Sequence, residues 1–138
     1  MDIDVIRDIC DTLKPLVERT SHVIAVYVFG STATGRATAK SDVDLAVLLH
    51  PDPGPDFDLL GFMVEAEKLL GKAVDVVVLN RAGEHLKYLV RRDGILIYDR
   101  DPTVRTRFDM RSRKDYQDFL YYHRRYVKKM QEQLSHGR

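Results

Sequence analysis

The sequence predicts an α/β or α+β domain built around one small sheet. Short apolar runs rich in β-branched residues recur between amphipathic stretches, the pattern of strands interleaved with helices. The chain has 138 residues, the length of one domain. Its 44% hydrophobic and 31% charged content is that of a globule able to bury a core without staples.

Residues 3–20 place Ile3, Ile6, Cys10, Leu13, Leu16 and Val17 at helical spacing, with Pro15 expected to kink or restart the helix. His22 to Phe29 (HVIAVYVF) reads as a buried strand. Gly30 to Lys40 is small and polar, a loop expected to include a short helix. Val43 to Leu49 (VDLAVLL) is a second strand, and His50 to Asp58, with three prolines and a glycine, a linker. Residues 57–71 suit a helix ending at Gly71, with Leu59, Leu60, Met63, Ala66 and Leu70 as its stripe. Ala73 to Leu79 (AVDVVVL) is a third strand, 81–92 a further helix and Gly94 to Tyr98 a short strand. From Thr103 to about Leu134, Phe108, Tyr116, Phe119, Leu120, His123, Val127, Met130 and Leu134 keep helical periodicity.

A lone Cys10 allows no internal disulfide and fits a reducing compartment. No apolar run approaches the ~18 residues of a membrane span, and Met1-Asp2-Ile3-Asp4 is acidic where an export signal is basic. A cytoplasmic protein with no membrane partner is expected. The net charge of +1 hides an asymmetry: residues 1–99 carry 11 basic and 16 acidic side chains, residues 100–138 carry 11 and 5. Four of the seven tyrosines, Tyr116, Tyr121, Tyr122 and Tyr126, lie in the basic tail. Tyr and Arg are enriched at binding hot spots, so the tail is expected to pack on its own domain and to offer a protein interface. The acidic front half argues against a nucleic-acid footprint.

The stretch from Val28 to Leu48 carries the chemistry. A strand ends in Gly30-Ser31, where glycine permits close backbone approach and the free N–H groups of a helix start favour phosphate. Ten residues on comes Ser41-Asp42-Val43-Asp44, whose two carboxylates point to one side of a strand. Like charges beside an apolar sheet are costly unless a cation neutralises them, and a hard divalent ion with oxygen ligands, Mg²⁺ or Mn²⁺, is the natural partner. Asp75 stands among valines, where aspartate is depleted, and adds a third acid if its strand neighbours that of Asp44. Three acids can hold two metal ions, the arrangement for in-line phosphoryl displacement.

Gly30-Ser31, Ser41-Asp42-x-Asp44-Leu45 and the strand carboxylate Asp75 resemble the nucleotidyltransferase superfamily of DNA polymerase beta and kanamycin nucleotidyltransferase. The short length is similar to its minimal nucleotidyltransferase (MNT) branch, whose members act as antitoxins beside HEPN-domain toxins. The motif covers about residues 28–48 plus Asp75, and the general layout roughly residues 3–98. The resemblance implies a polymerase-beta-like fold over residues 1–100, a small mixed sheet with flanking helices, and a C-terminal helical extension over 101–138. It also implies that Gly30 and Ser31 hold the triphosphate of ATP, with Arg36 and Ser41 as further nucleotide-binding residues. Asp42, Asp44 and Asp75 would ligate two Mg²⁺ ions, with Asp75 the candidate acceptor of the proton. The family often has a G-S-R-A-R-G pattern, whereas this chain has Thr32 and Thr34 there and Arg36 just past Gly35. The implied activity is transfer of AMP from Mg-ATP to a hydroxyl, a tyrosine of a HEPN-type toxin. The alternatives are an antitoxin that works by occlusion, and a small-molecule nucleotidyltransferase.

The remaining candidates rank lower. Lys40 is as readily a surface charge as a phosphate ligand. His85 and His123 have no convincing zinc spacing, and Cys10 reads as a small core residue. Arg81 to His85 is too short for the arginine-to-histidine spacing of HEPN ribonucleases.

Overall fold

The computed structural model describes residues 3–38, 41–51 and 57–136. Its elements are α1 (Ile3–Arg19), β1 (Val23–Phe29), α2 (Gly30–Thr34), β2 (Val43–Leu49), α3 (Leu59–Leu70), β3 (Val74–Val78), a 3₁₀ turn (Leu79–Arg81), α4 (Glu84–Asp93), β4 (Ile95–Asp99) and α5 (Pro102–His136). The four strands form one mixed sheet in the order β3-β2-β1-β4. β1 runs antiparallel to β2 and β4, and β2 runs parallel to β3 across the α3 crossover. The expected small mixed sheet with flanking helices and a C-terminal helix is therefore present.

Helices cover both faces of the sheet. On one face Val26, Val28, Leu45, Val47 and Val76 pack against Ile9, Leu13 and Val17 of α1 and Phe62 and Ala66 of α3. On the other, Ile24, Tyr27, Ala46 and Leu48 meet Leu86 and Val90 of α4 and Val104 and Phe108 of α5. A strand buried on both faces needs no polar alternation, which is why β1 reads as an unbroken apolar run.

Local rules set the helix ends. The Asp58 carboxylate accepts from the Gly61 amide at 2.9 Å, and Gly71 closes α3 in the left-handed region with its N–H on Glu67 O. Pro15 lies inside α1 without ending it, because it sits on the exposed side where the carbonyl it strands can meet water. In α3 Phe62 and Ala66 are buried, and Leu60, expected in the stripe, is 70% exposed. Cys10 is half-buried and donates to Ile97 O at 3.0 Å. Residues 52–56 of the expected linker lie outside the described residues, as does Lys40.

Two long-range clamps had no local signal. The Arg100 guanidinium donates to the carbonyls of Val17, Glu18 and Ser21, capping α1 from 80 residues away. The Asn80 side chain bonds both the N–H and the O of Leu49, extending the β2 ladder by one side chain. Among the described residues no helix is long and apolar enough to cross a membrane.

Candidate active site

The topology brings the end of β1 and the starts of β2, β3 and β4 to one edge of the sheet. There Phe29 pairs with Asp44, Asp44 with Asp75, and Ile95 with Val28. Asp44 and Asp75 are thus register partners on adjacent parallel strands, with their side chains on the same face. Asp42 lies two residues before Asp44, just ahead of β2. Asp44 is half-buried, whereas Asp42 and Asp75 are exposed. Burial pushes the Asp44 carboxyl above the usual carboxylate range, and the charges of Asp75 and Asp42 push it further the same way. The Asp44 carboxyl therefore feels both of the other acids.

Gly30 fits against this pair of strands. It turns the chain from β1 into α2 with φ +71°, a left-handed conformation that favours glycine. A Cβ there would collide with the Asp44 carboxylate, standing 3.2 Å from its Cγ. Ser31 opens α2, and its carbonyl receives the amides of Gly35 and Arg36. Ser41 closes the far end of the loop: its Oγ accepts from the Thr38 amide at 2.9 Å, and its amide donates to Thr38 O. The Ser41 hydroxyl thus shapes the loop that delivers Asp42, a role its position alone did not reveal. Arg36 is exposed, and it helps hold the Asp93 carboxyl below the usual range, after the Arg92 guanidinium that hydrogen-bonds it.

Sequence reasoning did not single out the end of α4. Arg92 and Asp93 form an ion pair at 2.6 Å, and Tyr88 stands 4.4 Å, ring to ring, from Tyr116 of α5. Arg91 lies over that same Tyr116 ring. A paired Arg91-Arg92 in the last turn of a helix before Asp-Gly was the signal available. Deeper, Arg105 ties α5 to the sheet. Its Nε is 3.0 Å from Asp99 Oδ2, an ion contact not aligned as a hydrogen bond, and its other nitrogen is 3.5 Å from Asp109. Burial there, followed by the charge of Asp109, pushes Tyr27 up to about 12.

The donor chemistry suits a hard divalent cation. Among the described residues no three His, Cys, Asp or Glu side chains form a ready-made metal cage. Neighbouring carboxylates short of a cage are what a magnesium-type ion uses when substrate phosphates complete its shell.

The family model for polymerase beta nucleotidyltransferases matches residues 11–103, about two thirds of the chain. The chain belongs to that family. The match spans β1 to β4, and with them Gly30, Ser31 and all three acids. This nucleotidyltransferase is 28% identical over 106 residues to protein adenylyltransferase MntA of Aphanizomenon flos-aquae (strain 2012/KM1/D3), covering 70% of this chain and 71% of that one. Its fold is similar to a toxin–antitoxin crystal structure with AMP-PNP, at a TM-score of 0.74 and 20% identity, covering 88% of this chain and 98% of that chain. It is also similar to the MNT antitoxin in complex with the tri-AMPylated HEPN toxin of Shewanella oneidensis, at a TM-score of 0.71 and 18% identity, covering 91% and 98%. The polymerase-beta-like fold read from the Gly-Ser and acidic motifs is borne out.

Proposed function

We propose that the chain is a protein adenylyltransferase that moves AMP from Mg-ATP onto a tyrosine hydroxyl of a HEPN-type toxin and so acts as its antitoxin. The observation that carries this reading is the register pairing of Asp44 with Asp75 beside Asp42, with Gly30 turned against the Asp44 carboxylate. The MntA relative and the AMPylated toxin in a structural neighbour support it.

In the proposed reaction the acceptor oxygen forms a bond to the α-phosphorus of ATP, and the bond from that phosphorus to the bridging oxygen breaks. Pyrophosphate leaves with the electron pair, and the hydroxyl proton passes to the Asp75 carboxylate or to water. Asp42, Asp44 and Asp75 would hold two divalent ions, which when bound supply positive charge against that growing on the entering and leaving oxygens. Gly30 lets the backbone approach the triphosphate, and Ser31 offers its amide and hydroxyl there. Ser41, bonded to Thr38, would steady the chain just ahead of Asp42, and Arg36 would add positive charge toward the phosphates. Asp75, exposed on the edge strand β3, is open to an acceptor from outside. The partner protein supplies the acceptor hydroxyl.

Occlusion is the second reading, favoured by the exposed Tyr- and Arg-rich end of α5. Intact-mass measurement of the cognate HEPN-type protein, co-expressed with this chain, separates the two. AMP-sized increments that vanish with Asp42→Asn plus Asp44→Asn, together with neutralisation, are expected. Full neutralisation by that double variant would leave occlusion as the function.

A further inference from the structure

α5 has 35 residues, a rod of about 50 Å, and only its first half lies on the domain. Val104, Phe108 and the buried Ser112 pack inward, and Tyr116 meets Tyr88 of α4 ring to ring. From Tyr121 to His136 every residue of the helix is exposed, Tyr126 by 63%, Met130 by 42% and Leu134 by 70%; just before them Phe119 is 44% exposed and Leu120 half-buried. Isolated helix is marginal in water, and exposed apolar side chains aligned on one face mark an interaction site. These are aligned. Tyr116, Leu120, His123, Val127, Met130 and Leu134 alternate steps of four and three, the seven-residue repeat of a helix that packs on another helix. Phe119 and Tyr126 widen the same stripe, whereas Tyr121 and Arg125 lie off it and hydrogen-bond each other.

Charge narrows the occupant. Residues 119–136 carry Arg124, Arg125, Lys128 and Lys129 against the single acid Glu132. A complementary surface is apolar along its centre and acidic at its flanks. Position narrows it further. Tyr88 and Arg91, which receive Tyr116, lie on α4, which contacts α2 and whose last residue, Asp93, feels the charge of Arg36. The projecting half of α5 thus leaves the body on the side of the carboxylates. The toxin–antitoxin structure covering 88% of this chain takes in about 20 residues of α5, since 101 residues precede it, so at least a length equal to the packed first half of the helix belongs to the shared fold.

We infer that residues 119–136 are a docking rail for an amphipathic, acid-flanked helix of the protein that receives the adenylyl group, seated in heptad register along Leu120, Val127, Met130 and Leu134. This rests on the adenylyltransferase reading and adds where the acceptor is held. Docking along the rail raises the local concentration of the acceptor hydroxyl beside Asp75 without touching the chemistry.

The test is Val127→Glu plus Met130→Glu, two exposed positions whose change leaves the body folded. With the cognate HEPN-type protein as acceptor, kcat/KM for transfer is expected to fall by at least about tenfold. Turnover at saturating acceptor and binding of a non-hydrolysable ATP analogue stay as in the parent chain. Raising the salt should lower kcat/KM of the parent chain more than that of an Arg124→Glu, Lys128→Glu variant. Parent-level kcat/KM in the Val127→Glu, Met130→Glu variant would overturn the rail, and absence of transfer by the parent chain would instead overturn the function. A dimer of this chain alone that the variant converts to monomer, or binding of an RNA oligomer that the variant abolishes, would reassign the stripe and overturn the inference.

Discussion

Asp44→Asn is expected to abolish adenylyl transfer while leaving the protein as stable as the parent or more so. A cation held at a reacting phosphate is worth several kcal/mol of barrier, so loss of one ligand should cost at least about a thousandfold in rate. The stability effect has the opposite sign. Burial, Asp75 and Asp42 all push the Asp44 carboxyl upward, so its charged form is disfavoured in the fold. A carboxyl raised above its unfolded value favours the folded state most below the unfolded value, and that contribution is lost as pH rises through the folded value. Without divalent cations, thermal stability of the parent chain should therefore carry an Asp44 contribution that declines as pH climbs out of the usual carboxylate range. Asp44→Asn should remove that decline. Added Mg²⁺ should raise the melting temperature of the parent at neutral pH and not that of the variant. Thermal melts across pH, with and without Mg²⁺, read both signs.

Gly30→Ala should be the second severe change, and Gly71→Ala its control. Both glycines sit in the left-handed region, φ 71° and 70°, where an L-residue costs roughly 1–2 kcal/mol. Only Gly30 has a neighbour in the way. A methyl there drives into the Asp44 carboxylate, whereas at Gly71 nothing lies within 4 Å. Gly30→Ala should lose more stability than Gly71→Ala by denaturant titration, because the clash adds to the same backbone strain. Gly30→Ala should also cut transfer by well over about tenfold, because displacing a catalytic ligand by an ångström costs that much or more. Gly71→Ala should turn over like the parent. Equal activity in the two would mean that Gly30 serves the turn alone.

The parts legible in the sequence were those set by local physics. HVIAVYVF, VDLAVLL and AVDVVVL became β1, β2 and β3 because β-branched runs have few other uses. Asp75 among valines stood out because an acid in a strand needs a reason, and parallel pairing with Asp44 supplies one. What stayed hidden depended on distant partners. Nothing near Arg100 announces that it caps α1, and nothing near Tyr27 announces Arg105 and Asp109 beneath it. Phe62 rather than Leu60 faces the core because it falls at three- and four-residue spacing with Leu59, Ala66 and Leu70, as Met63 does, whereas Leu60 lies about a quarter-turn off that face. The tail was expected to pack and to offer an interface, yet periodicity could not tell where packing stops, since Phe108 and Val127 look alike in a string. Among the proposed site residues, the pairing of Asp44 with Asp75 and the fit of Gly30 against Asp44 needed the fold, as did the hydrogen bond from the Thr38 amide to Ser41.

The central claim is that Asp42, Asp44 and Asp75 act as one cation site. Its most direct measurement is Mn²⁺ binding followed by electron paramagnetic resonance, in the presence of a non-hydrolysable ATP analogue. Asp42→Asn, Asp44→Asn and Asp75→Asn should each weaken Mn²⁺ binding by at least about tenfold, because each removes one charged oxygen ligand. An Asp75→Asn protein that holds Mn²⁺ as tightly as the parent and still transfers AMP would contradict the account.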